Sequence, residues 1–472
     1  MEKVLEECDR ADQELSPETI HDLRIALRRC RTMAEAFMFF DPYRIWKIMK
    51  KEGGRLFRRL DELRDVHVMM EWALRLGAAA DPVVTRIMDH LVPREMQLKQ
   101  DTLAALRAFD REKWSSWSAR LQMRARRVPL EGKVYQLGAL RAWDEAYRLH
   151  KQALRNRSVK SWHALRVGLK KFRYTVENFL PARHEKWGQD LKNLQDCLGE
   201  GHDLAVLWDA AVRINVFPDS ESRAHWRALI SRERQERIER YRAMTIGPGS
   251  LWNVWRSGLP SPERLRQAAL QWMQTSARFR ETDLNHARRV RSLALQLFSG
   301  LRTRGRASRK EIRDQRNILH AAAIFHEVGR AAAQKKHGKT TARLLRGLPP
   351  LPGFSKELLL RTAIIVRHHC RGVGILEDQY IAGIQERERQ TLIQLTAILR
   401  LAEALAHYDD PPIARISICR DPGSIIIEAD GYAASCRHAE KVARARYLLE
   451  FACNQPIFIR STSNPPDTNN SA

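Results

Sequence analysis

The chain has no stretch of about twenty apolar residues, so no spanning helix is expected, and its acidic, polar start, MEKVLEECDRADQELSPETIHDLR, has no apolar signal stretch. Secretion and membrane spanning are therefore excluded as expectations, and a cytoplasmic setting is implied. Cysteine is scarce and scattered: Cys8, Cys30, Cys197, Cys370, Cys419, Cys436 and Cys453 include no CxxC pair and fall beside apolar runs, as small buried thiols of a reducing compartment do. Strand alternation is missing from residues 12 to about 242. Negative charge is in deficit, with 56 Asp and Glu against 82 Lys and Arg, a formal charge of +26. That excess repels itself unless an anionic partner neutralises it. DNA, RNA, anionic lipid and polyphosphate all fit that description.

The 472 residues exceed what one hydrophobic core organises, and the ordinary apolar fraction of 44% sets disorder aside for most of the length. Ser16-Pro17-Glu18 has the form of a cap followed by a first-turn proline, and Ile20, Leu23, Leu27, Met33 and Phe37 recur at near-helical spacing. Further helices are expected over about 44–77, 82–124, 131–153, 158–179, 183–214 and 221–242. Turn clusters at Ile246-Gly247-Pro248-Gly249-Ser250 and Gly258-Leu259-Pro260-Ser261-Pro262 place a linker at 243–261. Helices resume over 262–278, 283–299, 311–328, 337–346, 355–370 and 384–406, giving a second helical domain over 262–410. The period then changes to two: Ala414, Ile416 and Ile418 alternate with Arg415, Ser417 and Cys419, followed by the turn Asp421-Pro422-Gly423-Ser424 and the run Ile425–Ala429. A hairpin, a short helix (437–452) and a last strand (Ile457-Phe458-Ile459) make a small α+β subdomain over 411–460, with a frayed polar tail over 461–472.

An internal duplication is the most informative feature. His21-Asp22-Leu23-Arg24-Ile25-Ala26-Leu27-Arg28-Arg29-Cys30-Arg31 and His163-Ala164-Leu165-Arg166-Val167-Gly168-Leu169-Lys170-Lys171-Phe172-Arg173 share H-x-L-R-x-x-L-[RK]-[RK]-x-R at an offset of 142 residues. Downstream, Leu60-Asp61-Glu62-Leu63-Arg64-Asp65-Val66 is aligned with Leu198-Gly199-Glu200-Gly201-His202-Asp203-Leu204. Two helical bundles related by a pseudo-twofold follow.

On a helix His21, Arg24, Arg28 and Arg31 form one stripe, as do His163, Arg166, Lys170 and Arg173. A stripe of like charge costs stability unless an anion lies over it. A single such run is most often a solvated face, but its repetition in the same order weakens that explanation. Arginine's planar fork holds two phosphoryl oxygens, lysine adds a mobile charge, and a nearby phosphate favours protonated histidine. Arg55, Arg58, Arg59 and Arg64 in the first copy, and Lys186, Lys192 and His202 in the second, extend the groove, with Asp65 and Asp203 orienting arginines. Trp114, Trp117, Trp143, Trp162, Trp187, Trp208 and Trp226 lie amid apolar periodicity and are assigned to packing, leaving few aromatic platforms for bases.

Residues 12 to about 242 resemble a CHAD domain, on the two H-x-L-R-x-x-L-[RK]-[RK] motifs and the later L-x-E-x-x-D signature. The resemblance implies a pair of helical bundles around a basic pore or groove, affinity for inorganic polyphosphate, and association with polyphosphate granules. It puts the contacts at His21, Arg24, Arg28, Arg31, His163, Arg166, Lys170 and Arg173.

In the C-terminal half, His286 and the doublet His326-Glu327 begin a divalent-metal site able to activate water for phosphate-ester hydrolysis, lacking a clear fourth ligand. Residues of about 265–460 resemble the HD-type C-terminal domain of the exopolyphosphatase/guanosine pentaphosphate phosphatase family. The resemblance rests on the His286 helix, His326-Glu327-Val328-Gly329, Leu351-Pro352-Gly353-Phe354-Ser355, Val366-Arg367-His368-His369 and Leu399-Arg400-Leu401-Ala402-Glu403. The doublet is His-Glu in place of His-Asp, and Ala406, beside His407, stands where the metal-binding form has its last aspartate. In that family the chemistry belongs to an actin-like domain, and neither a glycine-rich phosphate loop nor an actin-like strand pattern precedes residue 262 here.

The expected architecture is therefore mainly α, a pseudo-twofold pair of CHAD-like bundles followed by an HD-like helical domain with a small α+β subdomain. Noncatalytic polyphosphate binding, without a required cofactor, is the first expectation. His286, His326, Arg330, Lys339, Arg367 and His369 are expected as a second anion pocket. The alternative is a metal-dependent phosphohydrolase acting on polyphosphate or guanosine polyphosphates, with His286, His326 and Glu327 as metal ligands. Nucleic acid is a competing polyanion, and homodimerisation through the C-terminal half is a further expectation.

Overall fold

The computed structural model describes residues 1–78, 80–280, 283–302, 307–370, 374–375, 379–408, 412–434 and 438–461; Cys436 and the tail from 462 lie outside them. Two compact units divide between Ser261 and Pro262. No described helix is long and apolar enough to cross a membrane.

The first unit contains α1 (Glu2–Gln13), α2 (Pro17–Met38), α3 (Arg44–Leu76), α4 (Pro82–Arg107), α5 (Arg111–Ala125), α6 (Lys133–Asn156), α7 (Val159–Phe179), α8 (Pro181–Arg213), α9 (Ser220–Thr245) and α10 (Leu251–Ser257). The duplication is visible in local detail. Ser16 caps α2 by accepting from Thr19 N at 3.2 Å, and Ser158, also 142 residues on, caps α7 by accepting from Ser161 N at 3.2 Å. Leu23 and Leu27 of α2 and their counterparts Leu165 and Leu169 of α7 are fully buried, which fixes the same face of each helix inward. In each half the helices pack in series, α2 on α3 on α4 and α7 on α8 on α9, and the halves meet where α2 faces α7 and α3 faces α8.

Three expectations change. The helix expected over 82–124 is two, because Asp110 caps α5 through Lys113 N at 2.9 Å and so starts a new helix. Residues 2–13, outside the expected domain, form α1, with Val4, Cys8 and Ala11 buried. The stretch 243–261 is no bare linker: α9 runs to Thr245, and α10 buries Trp252 and Trp255 completely in the first unit.

The second unit contains α11 (Pro262–Arg278), α12 (Leu284–Leu301), α13 (Arg309–Phe325), α14 (His337–Gly347), α15 (Lys356–His368), α16 (Gln379–Ala382), α17 (Glu386–Leu405) and α18 (Ala439–Cys453), with β1 (Ile416–Asp421), β2 (Ser424–Ala429) and β3 (Ile457–Arg460). The hairpin forms with Ile416 opposite Ala429 and Asp421 opposite Ser424, its turn using Gly423 at φ +87°. Ala414 precedes β1. β3 joins β2 in parallel, a connection that needs a crossover, and α18 supplies it. The expectation of uniformly buried thiols fails in part: Cys8, Cys30 and Cys197 are buried, whereas Cys370 and Cys419 are exposed.

Candidate functional sites

The repeated basic stripes face one another. Arg24 on α2 donates to Asp61 Oδ1 at 2.6 Å and to Leu60 O at 3.2 Å, both on α3. Arg28 donates to Tyr174 Oη of α7 at 3.1 Å, a bond across the pseudo-twofold. The guanidinium carbons of Arg24, Arg28 and Arg31 lie 4.9, 5.2 and 5.1 Å from the centre of the buried Phe57 ring. Phe57 thus gathers three cations that would otherwise spread apart, an attraction to the ring's negative face. In the second half Arg166 sits 3.9 Å from Asp203 and Arg173 3.9 Å from Glu177.

Arg24 pairs with Asp61 and Arg166 with Asp203. The repeat nevertheless keeps the aligned register of the later motif: α4 and α9 begin and end 138 residues apart, as do their capping residues Asp81 and Asp219, and the buried Leu56, Leu60 and Val66 of α3 match the buried Leu194, Leu198 and Leu204 of α8, so Asp65 is the counterpart of Asp203. Asp61 and Asp65 are one helical turn apart and share a face, and Arg24 engages the carboxylate one turn before the aligned one. Arg64 and His202 are the aligned pair, and the two halves differ there.

Charge balance is incomplete on this face. Among the described residues Arg28, Arg31 and Lys170 enter no ion pair, and Arg31 Nε and Arg166 Nε are buried without a hydrogen-bond acceptor. Burial, followed by the neighbouring Arg28 and Arg166, holds the Lys170 amine down at about 6. His202, whose ring centre is 4.6 Å from that of His163, is pushed down to about 4 by burial and then by Arg166. Both rings border a cavity of about 30 Å³ with Trp162 and Arg237.

The outlying residues of the expected groove divide. Arg64 is half-buried near Arg24 and Asp203. Arg55 is exposed and paired with Glu52 of its own helix at 2.9 Å, and Arg59 and Lys192 are exposed. Arg58, also expected there, is exposed but lies near the stripe: Gly54 sits between it and Arg31, each guanidinium 3.8 Å from where a Cβ would stand. His21 is exposed at one end of the stripe. Of the seven tryptophans assigned to packing, Trp114, Trp143, Trp187 and Trp226 are buried and the other three half-buried. Sequence spacing had not revealed Phe57 or Tyr174, since a ring at a core-facing helical position reads as packing even when its chain neighbours are charged.

In the second unit, Asp283 caps α12 by accepting from Asn285 N and His286 N, which fixes His286 in the first turn. His286, His326 and Glu327 are all buried, and one donor atom from each lies within 4.8 Å of the other two. His326 Nδ1 is 2.7 Å from Ala323 O; a carbonyl only accepts, so Nδ1 carries the hydrogen and Nε2 the lone pair. His326 Nε2 and His286 Nε2 are buried with no hydrogen-bond partner. Burial keeps both imidazoles below their ordinary range. Glu327 pairs with the exposed Arg330. His407 stacks on His286, ring centres 5.1 Å apart, next to Ala406.

A second group adjoins this one. The His369 ring centre is 5.4 Å from that of His326, and donor atoms of His337, His369 and Cys370 lie within 4.8 Å of one another. Glu403 of α17 lies 3.7 Å from His369 Nε2, its carboxyl pushed up to about 8 by burial and then by Glu327. The expected anion pocket is not assembled: His286, His326 and His369 are buried neutral bases beside the carboxyl groups of Glu327 and Glu403, Lys339 is exposed, and Arg330 is engaged by Glu327. Lone pairs and carboxylates attract cations. Arg367 is half-buried at the end of α15.

Paired basic helices in one unit and clustered imidazoles in the other define a helical protein with a cationic face and a group of candidate metal ligands. Residues 1–212 match the CHAD domain and residues 265–418 match Ppx/GppA phosphatase, domain III. The chain is a CHAD domain fused to a Ppx/GppA phosphatase domain III. The first match takes in α1, and the second ends within β1. No curated protein matches the chain.

Proposed function

We propose that the C-terminal unit is a metal-dependent phosphohydrolase acting on polyphosphate or guanosine polyphosphates. The observation that carries this reading is the pair of buried, unpartnered Nε2 atoms of His286 and His326 converging with the Glu327 carboxylate. Leaving such nitrogens unpaired in a protein interior costs about 1–3 kcal/mol each, a cost that a bound cation removes. A divalent ion held by these residues supplies Lewis acidity and an activated water. The test uses the full chain, stripped of metal and reloaded with Mn²⁺ or Zn²⁺, and measures phosphate released from both substrates. Release that is lost in His326→Ala supports the reading; a metal-loaded chain that releases none refutes it.

A second reading, noncatalytic capture of the polymer, is favoured by Arg28 and Arg31, guanidinium groups in no ion pair among the described residues, with the amine of Lys170 beside Arg28. A phosphate polymer offers charge and no bases, and this face offers charge over the rings of Phe57 and Tyr174, which are buried and so give bases no open platform. The same contacts would carry the chain to polyphosphate granules. Competition at fixed ionic strength between polyphosphate, duplex DNA and single-stranded RNA of equal charge separates the partners, because salt dependence alone does not. Equal competition would make the face a general polyanion site.

A further inference from the structure

His337 and His369 have their protons placed by their surroundings. His337 Nδ1 is 2.9 Å from Gln334 O and His369 Nδ1 is 2.6 Å from Val366 O, so each Nδ1 donates and, in the neutral ring, each Nε2 bears a lone pair. Those two Nε2 atoms stand 3.3 Å apart. Cys370 Sγ lies 3.0 Å from the first and 2.9 Å from the second. A single thiol hydrogen satisfies one edge of this triangle and leaves lone pairs facing each other along another. A cation at its centre satisfies all three.

We propose that His337, His369 and Cys370, completed by Glu403, form a thiolate–imidazole site for a zinc-like transition-metal ion, separate from the His286, His326 and Glu327 cluster. Metal–nitrogen bonds of about 2.0–2.1 Å and a metal–sulfur bond of about 2.3 Å in a tetrahedron set the nitrogen–nitrogen edge at about 3.3 Å and the nitrogen–sulfur edges at about 3.5 Å. The observed nitrogen–nitrogen edge already has that length. The sulfur must withdraw by about half an ångström, a small movement for a side chain just past the end of α15. Glu403, 3.7 Å from His369 Nε2, supplies the fourth donor. Sulfur and nitrogen donors select zinc, cobalt or iron over magnesium and calcium, which prefer oxygen. The backbone carbonyls of Gln334 and Val366 already hold both rings in the ligating tautomer. The site does not depend on whether the unit hydrolyses phosphate.

The test titrates the reduced, metal-free full chain with Co²⁺ under nitrogen. A near-ultraviolet thiolate-to-cobalt charge-transfer band is expected, displaced by Zn²⁺, lost in Cys370→Ser and in His337→Ala, and retained in His286→Ala. Cys370→Ser is nearly isosteric, so its helical circular dichroism should match the parent even if His337→Ala misfolds. A parent protein without the band, or a band that survives Cys370→Ser, overturns the proposal. A chain that shows the band and releases no phosphate overturns the hydrolase reading alone; one that hydrolyses without the band overturns this site alone.

Discussion

Lys170 gives the N-terminal unit a test with a definite sign. Its amine is held at about 6, against an ordinary 10.5, by burial and then by Arg28 and Arg166. In the free protein at neutral pH the side chain is therefore mostly uncharged. A phosphate chain laid across α2 and α7 favours the ammonium, so binding takes up a proton. By linkage, affinity falls about tenfold per pH unit above the free-state value while the complex keeps the proton, or about a hundredfold (about 2.7 kcal/mol) between about pH 7 and 9. Calorimetric titration with polyphosphate of one length, at constant ionic strength and in two buffers of different ionisation heat, counts the protons directly. Lys170→Arg should bind with a flat profile over that range, and Lys170→Met should bind weakly with the slope gone. Stability runs the opposite way. A lysine whose folded value lies below its unfolded value costs stability below pH 10.5, increasingly so down to about 6, and nothing above 10.5. Lys170→Met should therefore stabilise the free protein near pH 7, by up to about 5 kcal/mol, and progressively less as the pH rises. Affinity independent of pH, or a slope that persists in Lys170→Met, refutes the placement of this amine beneath the polymer.

Reversing Arg28 to Glu removes a charged contact and the bond to Tyr174, and should weaken polyphosphate binding by about ten- to a hundredfold with helical circular dichroism unchanged. Asp61→Asn should disturb Arg24 and lower affinity more than Asp65→Asn does, in the same titration; equal effects would show that Asp61 is not what holds Arg24 in place. Trp252→Ala should destabilise the first unit by about 3–5 kcal/mol in urea unfolding, since the ring is fully buried and residues 243–261 belong to that unit's core.

Much of the fold was legible because the duplication fixes several independent features at once. Cap, core and charge recur at one offset, Ser16 with Ser158, Leu23 with Leu165 and Arg24 with Arg166, and only a repeated helical unit explains all three. What spacing could not supply was anything decided between helices. Asp61 and Asp65 are equivalent to a helical wheel, and only the neighbour at Arg24 distinguishes them. Phe57 reads as ordinary core until three guanidinium groups are seen around it. In the second unit His337 and Cys370 stand 33 residues apart at the ends of different helices, and no periodicity links them. α10 was hidden for a different reason: glycine and proline on both sides of Leu251–Ser257 mark turns truthfully, but say nothing of two tryptophans packed between those turns.

The two units have opposite shortages. One gathers cations for which the protein supplies too few carboxylates; the other gathers lone pairs and carboxylates for which it supplies too few protons or cations. The donor types in the second unit bear on its proposed substrate. A phosphate polymer is itself an array of oxygen ligands and competes for hard ions such as magnesium and calcium. A centre that must keep its metal beside such a polymer is better made from nitrogen and sulfur, for which the polymer's oxygens are poor substitutes. His286, His326, His337, His369 and Cys370 are that kind of donor, and only Glu327 and Glu403 resemble what the substrate itself offers. Replacing His326 by Asp should therefore do more than weaken metal binding. The remaining metal should be stripped by excess polyphosphate, so that phosphate release fails as substrate concentration rises, whereas the parent chain saturates normally. Equal resistance of the two proteins to substrate excess would remove this reason for a nitrogen-rich centre.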